Sequence, residues 1–355
     1  MSVPSRSKST APGKVTLQEA THDADRDGQA ALARLARHTF TDLRPAARGW
    51  HRVGGSGRGD PGIVVPGRDG RSVIEFEALP ELVDPVLVAA FEGWNDAGDA
   101  ASDAVTHLIE VWGAMPLAEM DPEDYYDYQV NRPMITLDEQ AVRHLNWPTT
   151  RLYVARLPLA SRDVVIVHGI EPNMRWRQFT EEILTLASEL GVSLVVTLGA
   201  LLSDSPHTRP VPVTGTSTDA GAARSLGVEP SHYEGPTGIV GVIQEACGRR
   251  GLPSVSLWAA VPHYVAQAPS PKATLALVRR VEDLLDVPVP LGDLVDDARA
   301  WELGVDELAA DDDEVADYVR QLEEARDTTD LPEATGEAIA REFERYLRRR
   351  GVDEG

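Results

Sequence analysis

The chain holds a single cysteine, Cys247, which excludes an intramolecular disulfide and a cysteine-ligated metal cluster. Between Ala246 and Gly248 in a helical pattern, it reads as a small core-lining thiol. No apolar stretch approaches the ~20 residues that span a bilayer, and the N-terminus lacks the apolar core of a secretory signal, which predicts a cytoplasmic protein. Positive charge is also scarce. Lys and Arg total 34 against 57 Asp and Glu, a net charge of −23 with a pI near 4.7. Such a balance argues against sequence-independent nucleic-acid binding and against an anionic membrane surface as partner. The histidines show no metal-ligand spacing, and Ser203, Ser205 and Ser217 lie in no Gly-x-Ser-x-Gly elbow. There is no P-loop, no dinucleotide fingerprint and no internal repeat. Neither a metal nor a cofactor is expected, and no residue is assigned a catalytic role.

What is present divides the chain into three parts. Residues 1–72 are rich in Arg, Gly, Ser and Pro, with one short helical pattern around Asp27 to Arg37. That composition buries little and predicts a disordered tail or a gene-model extension, with Val73 as the alternative start. From 73 to 290 apolar runs alternate with amphipathic helices, the pattern of an α/β domain. Strands are predicted over 86–91, 151–155, 164–168, 193–198, 210–214 and 254–260. Helices are predicted after Asp96, over 175–190, over 237–250 and over 272–285. The fold class is a three-layer α/β/α sandwich with a mixed, mostly parallel sheet.

Residues 291–355 form an acidic C-terminal helical appendage. Between Asp296 and Asp330 stand 14 acidic residues against 3 basic ones. A last helix over 337–350 ends in Arg348, Arg349 and Arg350, which complement its dipole.

The richest segment follows the apolar run Pro85 to Ala90. Phe91-Glu92-Gly93-Trp94-Asn95-Asp96-Ala97-Gly98-Asp99 is a glycine-hinged turn where a buried strand meets a helix, the place where open α/β sheets bind ligands or partners. Asp96, Asp99 and Asp103 stand three and four apart and share a face if the helix begins at Asp96. Asn95 or Asp96 serves equally as an N-cap. Glu234-Gly235-Pro236-Thr237 opens another helix, where free amides could hold an anion or the glycines could simply admit close packing. Glu92, Asn95, Asp96, Glu171, His207, Glu234, Gly235 and Thr237 are therefore the candidates for a cleft at the carboxyl end of the sheet. Tyr125, Tyr126, Tyr128 and Arg132, with Arg175 and Trp176, are the candidates for an interaction surface, since Tyr, Trp and Arg dominate interface hot spots. Loop tyrosines can equally pack on their own domain, and Trp176 can anchor its helix.

Four ordered blocks carry a resemblance: Phe91 to Asp99, Asp121 to Pro133, Gly169-Ile170-Glu171-Pro172-Asn173-Met174-Arg175-Trp176, and Thr197-Leu198-Gly199-Ala200-Leu201-Leu202-Ser203-Asp204. Together they make residues 73 onward similar to the bacterial branch of the proteasome assembly chaperone 2 family. The resemblance implies a fold similar to nucleoside phosphorylases, a role in protein assembly and no established catalytic set. It implies a protein partner, proteasome subunits among the candidates, and the tyrosine loop read as an interface adds the expectation of a homo-oligomer. One feature departs from the proteasome-assembling relatives, which often end in a hydrophobic residue, tyrosine and a final residue. Here the last residues are Arg350-Gly351-Val352-Asp353-Glu354-Gly355, so docking by such a tail does not carry over. The expectation is a non-enzymatic binding or assembly protein. The alternative is an enzyme acting on a small nucleoside-like or carboxylate substrate, which requires a deep, preformed pocket.

Overall fold

The computed structural model describes residues 63–66 and 72–76 as strands and residues 79–330 apart from 139 and 159. The predicted helix over 27–37, the rest of the predicted tail and the predicted helix over 337–350 lie outside the described residues. All described residues fall within one compact unit. Its strands are β1 (Ile63–Pro66), β2 (Ser72–Phe76), β3 (Val86–Glu92), β4 (Met115–Glu119), β5 (Met134–Leu137), β6 (Arg143–Asn146), β7 (Arg151–Ala155), β8 (Val164–Ile170), β9 (Leu194–Ser203), β10 (Val213–Ser217), β11 (Glu229–Pro230) and β12 (Ser254–Pro262). The helices are α1 (Ala100–Val111), α2 (Trp176–Glu189), α3 (Ala220–Leu226), α4 (Ile239–Arg250), α5 (Pro271–Leu285), α6 (Leu294–Ala310) and α7 (Asp313–Asp330).

Eight strands form the main sheet in the order β11-β10-β12-β9-β3-β8-β7-β4. The central four, β12, β9, β3 and β8, are parallel, while β7 and β4 continue antiparallel at one side and β10 is antiparallel to β12. Two further pairs, β1 with β2 and β5 with β6, are separate antiparallel hairpins.

β3 shows why this sequence makes a three-layer sandwich. Its side chains alternate between two cores, each requiring a helical cover. Val86, Val88 and Ala90 pack with Ala104 and Leu108 of α1 and Leu277 and Val281 of α5. Leu87, Ala89 and Phe91 pack with Phe179 and Ile183 of α2 and Ile239 and Ile243 of α4. Adjacent parallel strands thus send their chains to opposite faces, β3 into α1 and β8 into α2. The exits of β3 and β8 therefore part and leave a crevice at their carboxyl ends.

Several expected boundaries move. The helix after Asp96 begins only at Ala100, because Gly98 and Asp99 are left-handed at φ 61° and 53°. Asp96, Asp99 and Asp103 accordingly do not share one helical face. The strand expected over 210–214 runs from Val213 to Ser217, since Pro210 and Pro212 have no N–H to give a ladder. β9 extends five residues past its expected end, pairing Leu201 and Leu202 with Ala260 and Val261 of β12. Cys247 is fully buried, as expected of a core thiol, and burial raises its pKa to about 12.

α6 lies along α5, burying Ala298 and Val305, and α7 follows. Their acids are ligands for cations of the sheet domain. Glu302 pairs with Lys272 at 2.6 Å, and Asp306 accepts from the buried His207 ring at 2.9 Å. Glu323 and Asp327 hold Arg209 at 3.0 and 2.8 Å. Among the described residues no helix is long and apolar enough to cross a membrane.

Phe179 packs edge-on against both Phe91 at 5.7 Å and Tyr125 at 5.2 Å between ring centroids. We expect Phe179→Ala to cost about 3–5 kcal/mol, read as a lower urea midpoint with an unchanged m value.

Candidate functional site at the carboxyl end of the sheet

The crevice is organised by Glu171, the first residue after β8. Its Oε1 accepts from Asn95 Nδ2 at 2.6 Å and from the Ile239 amide in the first turn of α4 at 2.8 Å. One carboxylate thereby ties the exit of β3 to that of β8 and supplies the negative charge that a helix N-terminus favours. Within α4 itself, the Ile239 amide is thus taken by the protein's own carboxylate. Gly238 is needed at this junction, because a Cβ there would stand 2.2 Å from Asn95 Oδ1. Asn95 is buried, and its Oδ1 has no hydrogen-bond partner. Glu234, Gly235 and Thr237 are exposed on the loop leading into α4.

Asp96 performs the expected cap from outside the helix. Its carboxylate accepts from the Ala101 amide at 2.6 Å and the Ser102 amide at 3.1 Å, satisfying donors that open α1. Around it gathers a group of like charges. Glu92, Asp96 and Asp99 all have raised pKa values, chiefly through desolvation, with their mutual repulsion adding for Glu92 and Asp96. Asp103 is pushed up to about 7, by burial first and then by Asp99, Asp96 and Glu92. Among the described residues no Lys or Arg forms an ion pair with any of the four. His168 Nε2 lies 3.7 Å from Glu92, but burial, helped by Arg151, lowers the imidazole to about 4. It is neutral near neutral pH and offers the cluster no charge.

The structure brings Glu92, Asn95, Asp96 and Glu171 together with the start of α4. His207 belongs elsewhere. Its ring nitrogens engage Tyr264 at 2.8 Å and Asp306 of α6 at 2.9 Å, so it fastens the C-terminal helices instead of facing the crevice.

The aromatic loop requires a sharper correction. Tyr125 and Tyr126 are core residues, only 1% and 3% exposed. Tyr125 packs on Phe179, and the Tyr126 hydroxyl donates to the Ile170 carbonyl at 2.9 Å. The alternative that loop tyrosines pack on their own domain is the one observed. Tyr128 is half-buried against the Trp147 ring, Trp176 is half-buried with its indole N–H on the Pro172 carbonyl, and Arg175 pairs with Asp124 at 2.6 Å. Arg132 alone of these candidates is exposed without such a contact.

A different set of side chains surrounds the crevice. Trp94 is 66% exposed beyond β3, Tyr233 68% before α4, and Met174, Leu201 and Leu202 are exposed beyond β8 and on the last turns of β9. These residues were missed because exposure, not identity, singles them out. In the sequence, Leu201 and Leu202 merely prolong an apolar strand. A cavity of about 320 Å³ lies between α5 and α6, lined by Leu275, Val295, Ala298 and Leu303 with Lys272 and Glu302 at its edge. Among the described residues no group of three or more His, Cys, Asp or Glu could hold a metal ion.

Comparison with known proteins gives concordant matches. The PAC2 family model matches residues 90–309. A PAC2 family protein from Streptomyces avermitilis is 63% identical, with 66% of this chain and 100% of that chain covered at a TM-score of 0.63. A proteasome-assembly chaperone homologue from Mycobacterium tuberculosis is 58% identical, with 66% and 99% covered at a TM-score of 0.61. PbaB of Pyrococcus furiosus, an archaeal proteasome activator, shares the fold at 18% identity, with 66% and 97% covered and a TM-score of 0.54. No curated protein matches.

Asp103 gives a signed pH prediction. Its folded pKa of about 7 lies above the unfolded value near 4, so its contribution is complete below about pH 4 and is lost as pH rises through 7. Asp103→Asn should therefore melt higher than the parent above neutral pH, and the gap should close in acid. Equal melting temperatures across that range would contradict the assignment.

Proposed function

The chain belongs to the PAC2 family, and from that premise we propose that it is a non-enzymatic assembly protein whose docking surface is the carboxyl-end rim of the sheet. The observation that carries the reading is the exposure of Trp94, Met174, Leu201, Leu202 and Tyr233 around a crevice bridged by Glu171. Large apolar side chains collected at one end of a domain are what a protein interface buries. The partner is a protein, with proteasome subunits the first candidate, because the Mycobacterium tuberculosis relative is a proteasome-assembly chaperone homologue. The chain also self-associates and works in the cytoplasm.

An enzyme would need a preformed pocket with convergent polar groups. The 320 Å³ cavity lies between α5 and α6, and the shifted carboxylates at the crevice are accounted for by desolvation and by one another. Neither observation favours the enzyme.

The test is co-purification of the full chain with purified proteasome subunits from the same cell. Stoichiometric co-elution is expected, and Trp94→Glu should weaken it by at least about tenfold, as for the loss of an interface anchor. Elution apart from every subunit, with a retained nucleoside or metabolite, would overturn the reading.

A further inference from the structure

The turn after β3 and the end of β9 form one surface. The Asn95 carbonyl accepts from the Ala200 amide at 2.8 Å, and Asp96 stands opposite Ala200 in a single parallel bridge. This brings the turn that carries exposed Trp94 to the stretch of β9 that holds exposed Leu201 and Leu202. Consecutive strand residues face opposite ways, so β9 is apolar and uncovered on both faces there.

β9 also has a free edge at this point. Its pairing with β3 stops at Thr197 opposite Ala89, whereas its pairing with β12 runs on to Ser203 opposite Pro262. In a parallel ladder, alternate residues turn both backbone groups toward the same neighbour. The Val195 amide donates to the Pro253 carbonyl on the β12 side, so odd-numbered residues face β12 and even-numbered ones face away from it. Ala200 follows this rule in giving its amide to Asn95. Leu202 is the next even-numbered residue. Its N–H and C=O point to a side where, among the described residues, no strand pairs with it. An unpaired edge of this kind is what an extended peptide adds to, with backbone hydrogen bonds supplying affinity and neighbouring side chains supplying selectivity.

Charge narrows the occupant. Glu92 and Asp99 are exposed on either side of Trp94 in the chain, with Asp103 half-buried beyond them. Among the described residues none of the three forms an ion pair with Lys or Arg. A segment with Lys or Arg set between apolar residues complements both the acids and the apolar edge. An acidic segment would meet like charges.

We propose that the free edge of β9 takes an extended, cationic segment of the protein partner, its apolar residues against Trp94, Leu201 and Leu202 and its Lys or Arg at Glu92 and Asp99. This rests on the reading of the rim as a docking surface and adds the mode, strand addition at Leu202, and the chemistry of what is bound.

Labelled synthetic peptides titrated against the full chain by fluorescence anisotropy test it. One alternates leucine with arginine, a second leucine with glutamate, a third serine with arginine. The first should bind, more weakly as salt rises, and the other two should be weaker by on the order of tenfold or more. Methylating the backbone nitrogens of the first, which removes its donors, should weaken it by a similar factor. Glu92→Gln combined with Asp99→Asn should weaken it roughly five- to tenfold, as for two exposed ion pairs, and flatten its salt dependence. Both replacements preserve shape, Asn suits the left-handed backbone at position 99, and unchanged circular dichroism confirms folding. Glu307→Gln combined with Glu324→Gln removes two exposed acids of α6 and α7 and should leave binding unchanged.

Equal binding of the leucine-glutamate peptide, equal weakening by the two double variants, or undiminished binding of the methylated peptide overturns the proposal. So does dissociation of an oligomer by the leucine-arginine peptide in native mass spectrometry, which would assign the edge to a second copy. Capture of proteasome subunits separates the inference from the reading beneath it. Capture lost in Trp94→Glu but untouched in the Glu92→Gln, Asp99→Asn variant overturns the cationic segment and leaves the docking surface standing. Capture and peptide binding both untouched by Trp94→Glu overturn the docking surface and the inference with it.

Discussion

Glu171 accepts from Asn95 and from the Ile239 amide, so one side chain joins the exits of the two central strands to the first turn of α4. A carboxylate in that position completes a backbone donor that would otherwise be stranded and sits where the helix dipole favours negative charge. It also fills the location at which an α/β sheet of this topology would hold an anionic ligand. The parting of β3 and β8 toward opposite faces creates the crevice, and Glu171 bridges its two sides.

The surface at that end is anionic for a physical reason beyond composition. Glu92, Asp96, Asp99 and Asp103 are gathered by a turn whose left-handed residues, Gly98 and Asp99, delay the helix. Gly98 is required there, since a Cβ would stand 2.8 Å from Ser270 Cβ. Asp96 is committed to capping α1, while the others are held close without a cation. Partial desolvation keeps the repulsion from being screened away. The arrangement is tolerable because Asp103, its pKa pushed up to about 7, can retain a proton.

The acidic C-terminal helices follow a different logic. Lys272, His207 and Arg209 all lie on or beside the loop that leaves β9, and Glu302, Asp306, Glu323 and Asp327 are spaced along α6 and α7 to meet them. His207 is 2% exposed, and its two partners make burial of a polar ring affordable. Part of the like-charge block in the sequence is therefore consumed internally, as a clamp.

Much of this was legible in the residues. The apolar runs of β3, β8, β9 and β12 are long and uninterrupted because those strands are buried on both faces, and the helical spacing of α1, α2, α4 and α5 is clear because each covers one core. Asp96 as a cap, Cys247 as a core thiol and the family membership were also readable. The short edge strand β4, the β5–β6 hairpin and α3 were not, since half-exposed elements carry no strong period. Tyr125 and Tyr126 illustrate the limit most plainly, because tyrosine has the same large apolar area whether it faces a partner or Phe179. Local patterning, then, determined the layers, the sheet and the acidic C-terminal part, all of which depend on residues near one another in the chain. Only the tertiary structure decided that Glu171 accepts from the first turn of α4, that His207 serves the C-terminal helices and that the β5–β6 hairpin shares an end with the rim, because each joins residues far apart in sequence and depends on which face of the sheet a helix takes.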